Sequence, residues 1–275
     1  MITVLNTTEN FPKTFQEKIS TAFHPYSIST NFCSEERVNI FTVNYIQRKG
    51  NIRYDKIYQN CIGKPKTILC SKELILDNTP FKRFDDTEYQ TLIMKNLIIE
   101  LLKHNIKRDM KIIFYDPYAQ YPSFLSEFLS YTSTLTVVSE MPKFYENEAA
   151  RIMNETGASI IVKNDISMIS PCDILIAPCT IEKDFPSCAS EIIFTAAKPL
   201  VNCKGTVFYD YKVSLPEKMN YTIPDCIDET YFTAALYSLC KINELSHLSP
   251  YGCVCESKLI SKEEIFQLIK NVVRN

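Results

Sequence analysis

The stretch Lys111-Ile-Ile-Phe-Tyr115, followed by Asp116-Pro-Tyr-Ala-Gln-Tyr-Pro-Ser123, decides how the chain is read. The first five residues form a short apolar run that suits a buried strand, and the polar, proline-bearing run after them makes a turn. A helix follows with Pro122 in its first turn, where a missing N–H does no harm, and runs to about Tyr131. Leu135-Thr-Val-Val-Ser139 is a second strand, ending at Glu140. A helix from Lys143 to Glu155 closes on Gly157, the residue suited to a left-handed cap. Strand three is Ala158 to Val162, a short helical turn lies near Ile166 to Ile169, and strand four is Cys172 to Ala177. A further helix is expected over Glu191 to Ala197, before strand five at Thr206 to Tyr209. Short apolar strands separated by crossovers are what a buried parallel sheet of about five strands requires.

Upstream, Ile2-Thr-Val-Leu5 reads as a strand, and Pro12 to Phe23 as a helix with Phe11, Phe15, Ile19 and Phe23 on one face. Val38 to Ile46 and Ile52 to Ile57 flank Arg48-Lys-Gly-Asn51, which predicts a hairpin turning at Gly50. Thr67-Ile-Leu69 and Leu74-Ile-Leu76 are further strand candidates. Asp85 or Asp86 caps a long helix to about Asn105. Downstream, Asp228 to Glu244 has helical spacing, and Ser261-Lys-Glu-Glu264 has the form of a capping box opening a last helix to Val273. The expected organisation is a small α+β domain over 1–84, a connecting helix over 85–109, an α/β domain over 110–220, and C-terminal helices over 221–275.

The stretch 111–213 resembles a Rossmann-like doubly wound domain, as found in amino-acid, shikimate and methylenetetrahydrofolate-type dehydrogenases. Glu140 after strand two, Asp173-Ile-Leu-Ile-Ala-Pro178 at strand four and Gly205-Thr-Val-Phe-Tyr-Asp210 at strand five carry the resemblance. It implies that Glu140 holds ribose hydroxyls and that the strand-four segment lines a nicotinamide. The chain departs from the family where phosphate is bound. In G-x-G-x-x-G the three glycines serve the turn, the room for the pyrophosphate, and helix–strand packing. Here Asp116 places a carboxylate near that position, and the loop of Pro117, Tyr118, Gln120 and Tyr121 is bulky. The whole chain has five glycines in 275 residues, where an average protein has roughly 7%. Its turns are therefore expected to rest on Asn, Asp and Pro.

Eleven cysteines and no basic, apolar leader in Met1-Ile-Thr-Val-Leu5 suggest a cytoplasmic protein with reduced thiols. A net charge of −2 gives no electrostatic reason to expect nucleic acid. No apolar run reaches the roughly 18 residues of a membrane span. The composition is compatible with a homo-oligomer.

In such a sheet, ligands lie beyond the C-terminal strand ends near the switch point. That gathers Asp116, Tyr118, Gln120, Glu140, Asn164, Asp165, Pro178, Cys179, Thr180 and Asp210 as candidate site residues. Each has a plainer reading. Glu140 is also a helix N-terminal acid that suits the dipole, and an Asp before Pro commonly starts a turn. Asp116 with Asp165 suits a divalent cation only weakly, and without C-x-x-C pairs no zinc site is expected. Cys179 is a conceivable thiol nucleophile without a nearby histidine. Tyr115, Tyr118, Tyr121 and Tyr131 either stack a ring or fill volume.

The favoured expectation is a divergent Rossmann-like protein that binds a small metabolite or nucleotide at the sheet crest, or acts as an accessory protein, without ordinary NAD(P) dehydrogenase activity. One alternative is an S-adenosylmethionine-dependent transferase or a non-standard NAD(P) oxidoreductase. The other is a structural or interaction protein with no small-molecule ligand.

Overall fold

The computed structural model describes residues 1–104, 110–132, 134–165, 167, 169, 171–184 and 190–274. The chain forms two compact units, one of residues 1–86 and 215–245, the other of residues 87–214 and 246–275.

The first unit is built on β1 (Ile2–Glu9), α1 (Phe15–Phe23), β2 (Tyr26–Glu35), β3 (Val38–Gln47), α2 (Tyr54–Asn60), β4 (Thr67–Cys70) and β5 (Lys82–Arg83). The sheet order is β2-β3-β1-β4-β5, with β1 parallel to both β3 and β4. The hairpin differs from the expected one. β3 pairs antiparallel with the preceding β2, and the segment after Gly50 is the helix α2 rather than a strand. The polar β2 was unreadable as a strand because it is an edge, with its middle residues exposed. Its turn uses Glu36 at a left-handed φ of 45° instead of glycine. Leu74-Ile-Leu76 is likewise not a strand. The core lies around Leu5, Phe41, Val43, Ile57 and Ile68. Helix α6 (Glu229–Cys240) belongs to this unit, N-capped by the Asp228 side chain, and its Tyr231 hydroxyl donates to the Phe84 carbonyl at 2.7 Å.

The second unit contains α3 (Thr87–His104), β6 (Lys111–Tyr115), α4 (Phe124–Leu129), β7 (Thr134–Val138), α5 (Pro142–Thr156), β8 (Ile160–Lys163), β9 (Cys172–Ala177), β10 (Ser190–Thr195), β11 (Thr206–Lys212), β12 (Gly252–Cys255), β13 (Lys258–Ser261) and α7 (Lys262–Arg274). Six parallel strands run β8-β7-β6-β9-β10-β11. In chain order that is 3-2-1-4-5-6, the strand order of the Rossmann-like fold.

The expected helix over Glu191 to Ala197 is instead β10. Ile192 pairs with Ile174 and Thr206, and Ile192, Ile193 and Phe194 are all buried. An apolar run buried on both faces carries no helical periodicity to contradict a strand. The hairpin β12–β13 extends the sheet antiparallel beyond β11. Its turn residues, Glu256 and Ser257, both have positive φ, as a tight hairpin requires. Helix α5 begins on Pro142 and ends on Gly157 in the left-handed conformation, and Glu264 caps Ser261 at the start of α7. The turn near Ile166 to Ile169, the helix end at Asn105 and Cys188 lie wholly or partly outside the described residues.

The two faces of this sheet are covered differently. Phe114 packs against Phe128 of α4 and Tyr145 of α5, with ring centroids 6.0 and 6.3 Å away. On the opposite face Ile113, Tyr115, Leu175, Ala177 and Ile193 are covered by the connecting segments at Ile169, Ile181, Val201 and Cys203. Among the described residues, no helix is long and apolar enough to cross a membrane.

Candidate functional site: a crest whose phosphate loop is closed by its own carboxylate

The order of strands reverses between β6 and β9, so their C-terminal ends mark the crest of the sheet. β6 delivers Asp116 there, and β9 delivers Pro178 and Cys179.

Asp116 is 1% exposed. Its Oδ2 accepts a hydrogen bond of 2.6 Å from the Tyr145 hydroxyl and one of 2.8 Å from the Tyr121 backbone N–H. The carboxylate therefore folds back into its own loop and holds the start of α4 and the first turns of α5 together. Further backbone groups of the loop are bonded locally. Asp116 N–H donates to Val138 O, Ala119 N–H to Asp116 O, Phe124 N–H to Tyr121 O and Leu125 N–H to Pro122 O. Pro117 and Pro122 have no N–H to offer. Ala119 stands at φ 51°, a left-handed turn position that glycine takes without strain. Helix α4 has only six residues, and Ser123 makes no side-chain cap. A turn built for pyrophosphate presents bare N–H groups at a helix start; here the N–H groups of Ala119, Tyr121, Phe124 and Leu125 are bonded within the loop.

The neighbouring loop is tied to it. Glu140 N–H and Ser139 Oγ both donate to the Pro117 carbonyl, at 3.1 and 3.3 Å. Glu140 itself is exposed and pairs with Lys183 of the segment after β9. That hydrogen bond is the main reason the Lys183 pKa is raised. Asp165 is exposed as well; its Oδ1 accepts from Ser167 N–H at 2.8 Å, which lowers its pKa, with a smaller contribution from Lys183. Lys183 thus pairs with Glu140 and adds a weaker electrostatic influence on Asp165. Tyr118 is 58% exposed.

The candidate residues therefore divide. Asp116, Pro178 and Cys179 form the inner layer; Tyr118, Gln120, Glu140, Asn164 and Asp165 are exposed, with Thr180 half-buried between. Burial pushes the Cys179 thiol up to about 12, with Asp116 adding to the effect, which favours the protonated thiol over the thiolate that attacks. Asp116 and Asp165 make no shared cation site, since one is buried under Tyr145 and the other exposed on Ser167. Among the described residues, no cluster of three or more His, Cys, Asp or Glu side chains is arranged to hold a metal ion. Asp210 follows the last parallel-paired residues of β11, at a bulge near the strand end, and pairs with Lys212 at 3.1 Å. Of the loop tyrosines, Tyr115 is buried in the sheet face, Tyr121 packs on Phe124 at 5.1 Å, Tyr131 is half-buried, and Tyr118 is exposed.

Sequence reasoning missed Tyr145 and Lys183. Tyr145 lies on the buried face of α5 with Ile152. A buried tyrosine needs a partner for its hydroxyl, and that need was the available signal. For Lys183, in an irregular segment, no sequence signal existed.

No protein-family model matches the chain, and no curated protein matches it by sequence. Among solved structures, it is similar to the Δ1-pyrroline-2-carboxylate reductase of Thermococcus litoralis, in complex with NADH and L-proline. That likeness has 15% identity and a TM-score of 0.28, over 39% of this chain and 36% of that one. It is similar to the L-tryptophan dehydrogenase of Nostoc punctiforme at 12% identity and a TM-score of 0.31, over 99% and 79%. A chorismate mutase/shikimate 5-dehydrogenase fusion protein of Clostridium acetobutylicum matches at 10% identity and a TM-score of 0.31, over 100% and 99%. The chain thus spans about a third of the first of these. Likenesses so loose carry no argument, and the Rossmann-like assignment stands on the strand order of the second unit.

Proposed function

We propose that the second unit binds a small metabolite of nucleoside class, lacking a diphosphate, at its crest, and that it does not work as an ordinary NAD(P) dehydrogenase. The observation that carries this reading is Asp116, a buried carboxylate committed to Tyr145 and Tyr121 where a pyrophosphate would lie. Two like charges about 4 Å apart near a protein surface repel by about 4 kcal/mol, a loss of roughly a thousandfold in affinity. A phosphate-free ligand meets no such penalty. Exposed groups suited to it remain: Glu140 for ribose hydroxyls in exchange for Lys183, and the face of Tyr118 for a base. A sulfonium nucleoside of the S-adenosylmethionine class also tolerates the acid after the first strand.

A second reading, an accessory protein acting through protein contacts, is favoured by the way the crest loops bond to one another through Pro117. Met141 and Phe144, at 42% and 57% exposure, lie immediately after Glu140 and offer apolar contact surface.

A thermal-shift comparison of adenosine, S-adenosylmethionine, NAD and NADP tests the proposal, because a ligand that binds only the folded state raises its melting temperature. Stabilisation by a phosphate-free nucleoside and not by the dinucleotides is expected. Stabilisation by a dinucleotide overturns the proposal, and no shift with any of them transfers support to the accessory reading.

A further inference from the structure

Helix α1 is a short excursion from one end of the first unit's sheet. β1 leaves at Glu9 and β2 enters at Tyr26, and both residues pair with Gln47 of β3 between them. The helix is well started: Thr14 and Glu17 form a reciprocal capping box, with Glu17 accepting from the N–H groups of Lys13 and Thr14. Its packing is the anomaly. Phe11, Phe15, Ile19 and Phe23 repeat every four residues, and their exposures are 50%, 77%, 50% and 78%. Within the helix only Thr21 is buried.

Isolated helices shorter than about 12–15 residues are marginal in water, and most helices in proteins are held by an apolar face packed on something. This nine-residue helix turns its apolar face to solvent.

We propose that this face is the contact between two copies of the chain, helix α1 packing antiparallel on its symmetry mate. A row spaced by four is one of the ridges through which helices interdigitate. Within the helix that row is Phe15, Ile19 and Phe23, with Phe11 flanking it just before the cap; run antiparallel about a two-fold axis, it complements itself, setting Phe15 against the partner's Phe23 and Ile19 against the partner's Ile19, as an isologous interface requires. Each aromatic offers about 150–250 Å² when fully exposed, so the row presents on the order of 500 Å² of apolar surface per chain. That lies towards the upper end of the roughly 300–600 Å² of the largest patch on a typical monomer. It supplies over half of the roughly 800 Å² per partner of a standard interface, and the exposed Lys13, Gln16, Lys18 and Ser20 beside it make a polar rim. The charge pattern selects protein over bilayer. Helices that lie in membranes carry a strongly cationic polar face, whereas residues 12–23 hold two lysines against one glutamate.

Sedimentation equilibrium of the full chain, beside its Phe15→Glu/Phe23→Glu variant, tests this. A dimer is expected for the parent chain at about 100 µM, and a dimer constant weakened at least about a hundredfold for the variant. Circular dichroism checks that the variant keeps its fold, and Phe11→Ser/Ile19→Ser serves as an independent pair with milder chemistry. A parent chain that stays monomeric at that concentration overturns the proposal, as does a dimer that both variants leave intact. Flotation of a monomeric parent chain with vesicles of anionic phospholipid reassigns the face to a bilayer and overturns it too.

Discussion

The Tyr145 hydroxyl lies 2.6 Å from Asp116 Oδ2, and both side chains are shut away from solvent. Burial and the neighbouring Asp116 charge hold the Tyr145 phenol far above its ordinary range, so it remains a donor. A buried charge is costly unless it is hydrogen-bonded, and Asp116 meets that requirement within its own loop. Removing the partner should show the dependence. Tyr145→Phe is expected to cost roughly 1.5–3 kcal/mol, as for a hydrogen bond to a charged group. Asp116→Ala should cost at least as much, since it leaves the Tyr145 hydroxyl and the Tyr121 N–H buried without their acceptor. Urea unfolding of both variants and of the double variant measures this; strongly non-additive losses are expected for residues in direct contact.

Alkaline pH should weaken the fold. Burial pushes the thiols of Cys61 and Cys172 up to about 11 and that of Cys179 up to about 12, from an ordinary 9.0. The unfolded chain therefore releases these protons first as pH rises. The stability contributed by the neutral, buried thiols is complete below pH 9 and is lost progressively between about 9 and 12. Melting temperature should be flat from pH 7 to 8.5 and fall above pH 9. At pH 8, alkylation of Cys179 in the folded protein should be far slower than in urea.

Gly205 separates two kinds of glycine requirement. It has φ 130°, and an added Cβ would lie 2.5 Å from the Ser190 carbonyl oxygen, on the backbone of β10. Gly157 has φ 74° with open space around it. Gly157→Ala should cost about 1 kcal/mol, for the left-handed conformation alone. Gly205→Ala should cost roughly 2–4 kcal/mol, because the strands themselves must shift. Equal losses in denaturant unfolding would contradict the close approach of β10 and β11.

The sequence was legible where periodicity and caps agree. β6 and β9 match their expected bounds, and Pro142, Gly157 and Ser261 punctuate the helices as their chemistry requires. It was illegible where the chain makes turns without glycine. Glu36, Ala119, Lys241, Glu256 and Ser257 all take positive φ, and no turn rule points to Glu, Ala or Lys there. Both unrecognised hairpins, β2–β3 and β12–β13, turn at such positions. The missing glycines after β6 were visible from the start, and they identified the crest as unusual. What fills the gap was not visible, because the bond between Asp116 and Tyr145 joins residues 29 apart through a tertiary contact.

Isothermal titration of NADH and NADPH into the protein tests the central claim most directly, that the carboxylate of Asp116 excludes a dinucleotide's pyrophosphate from the crest. No saturable heat is expected at ligand concentrations up to about 1 mM. Saturable one-to-one binding within that range would contradict it.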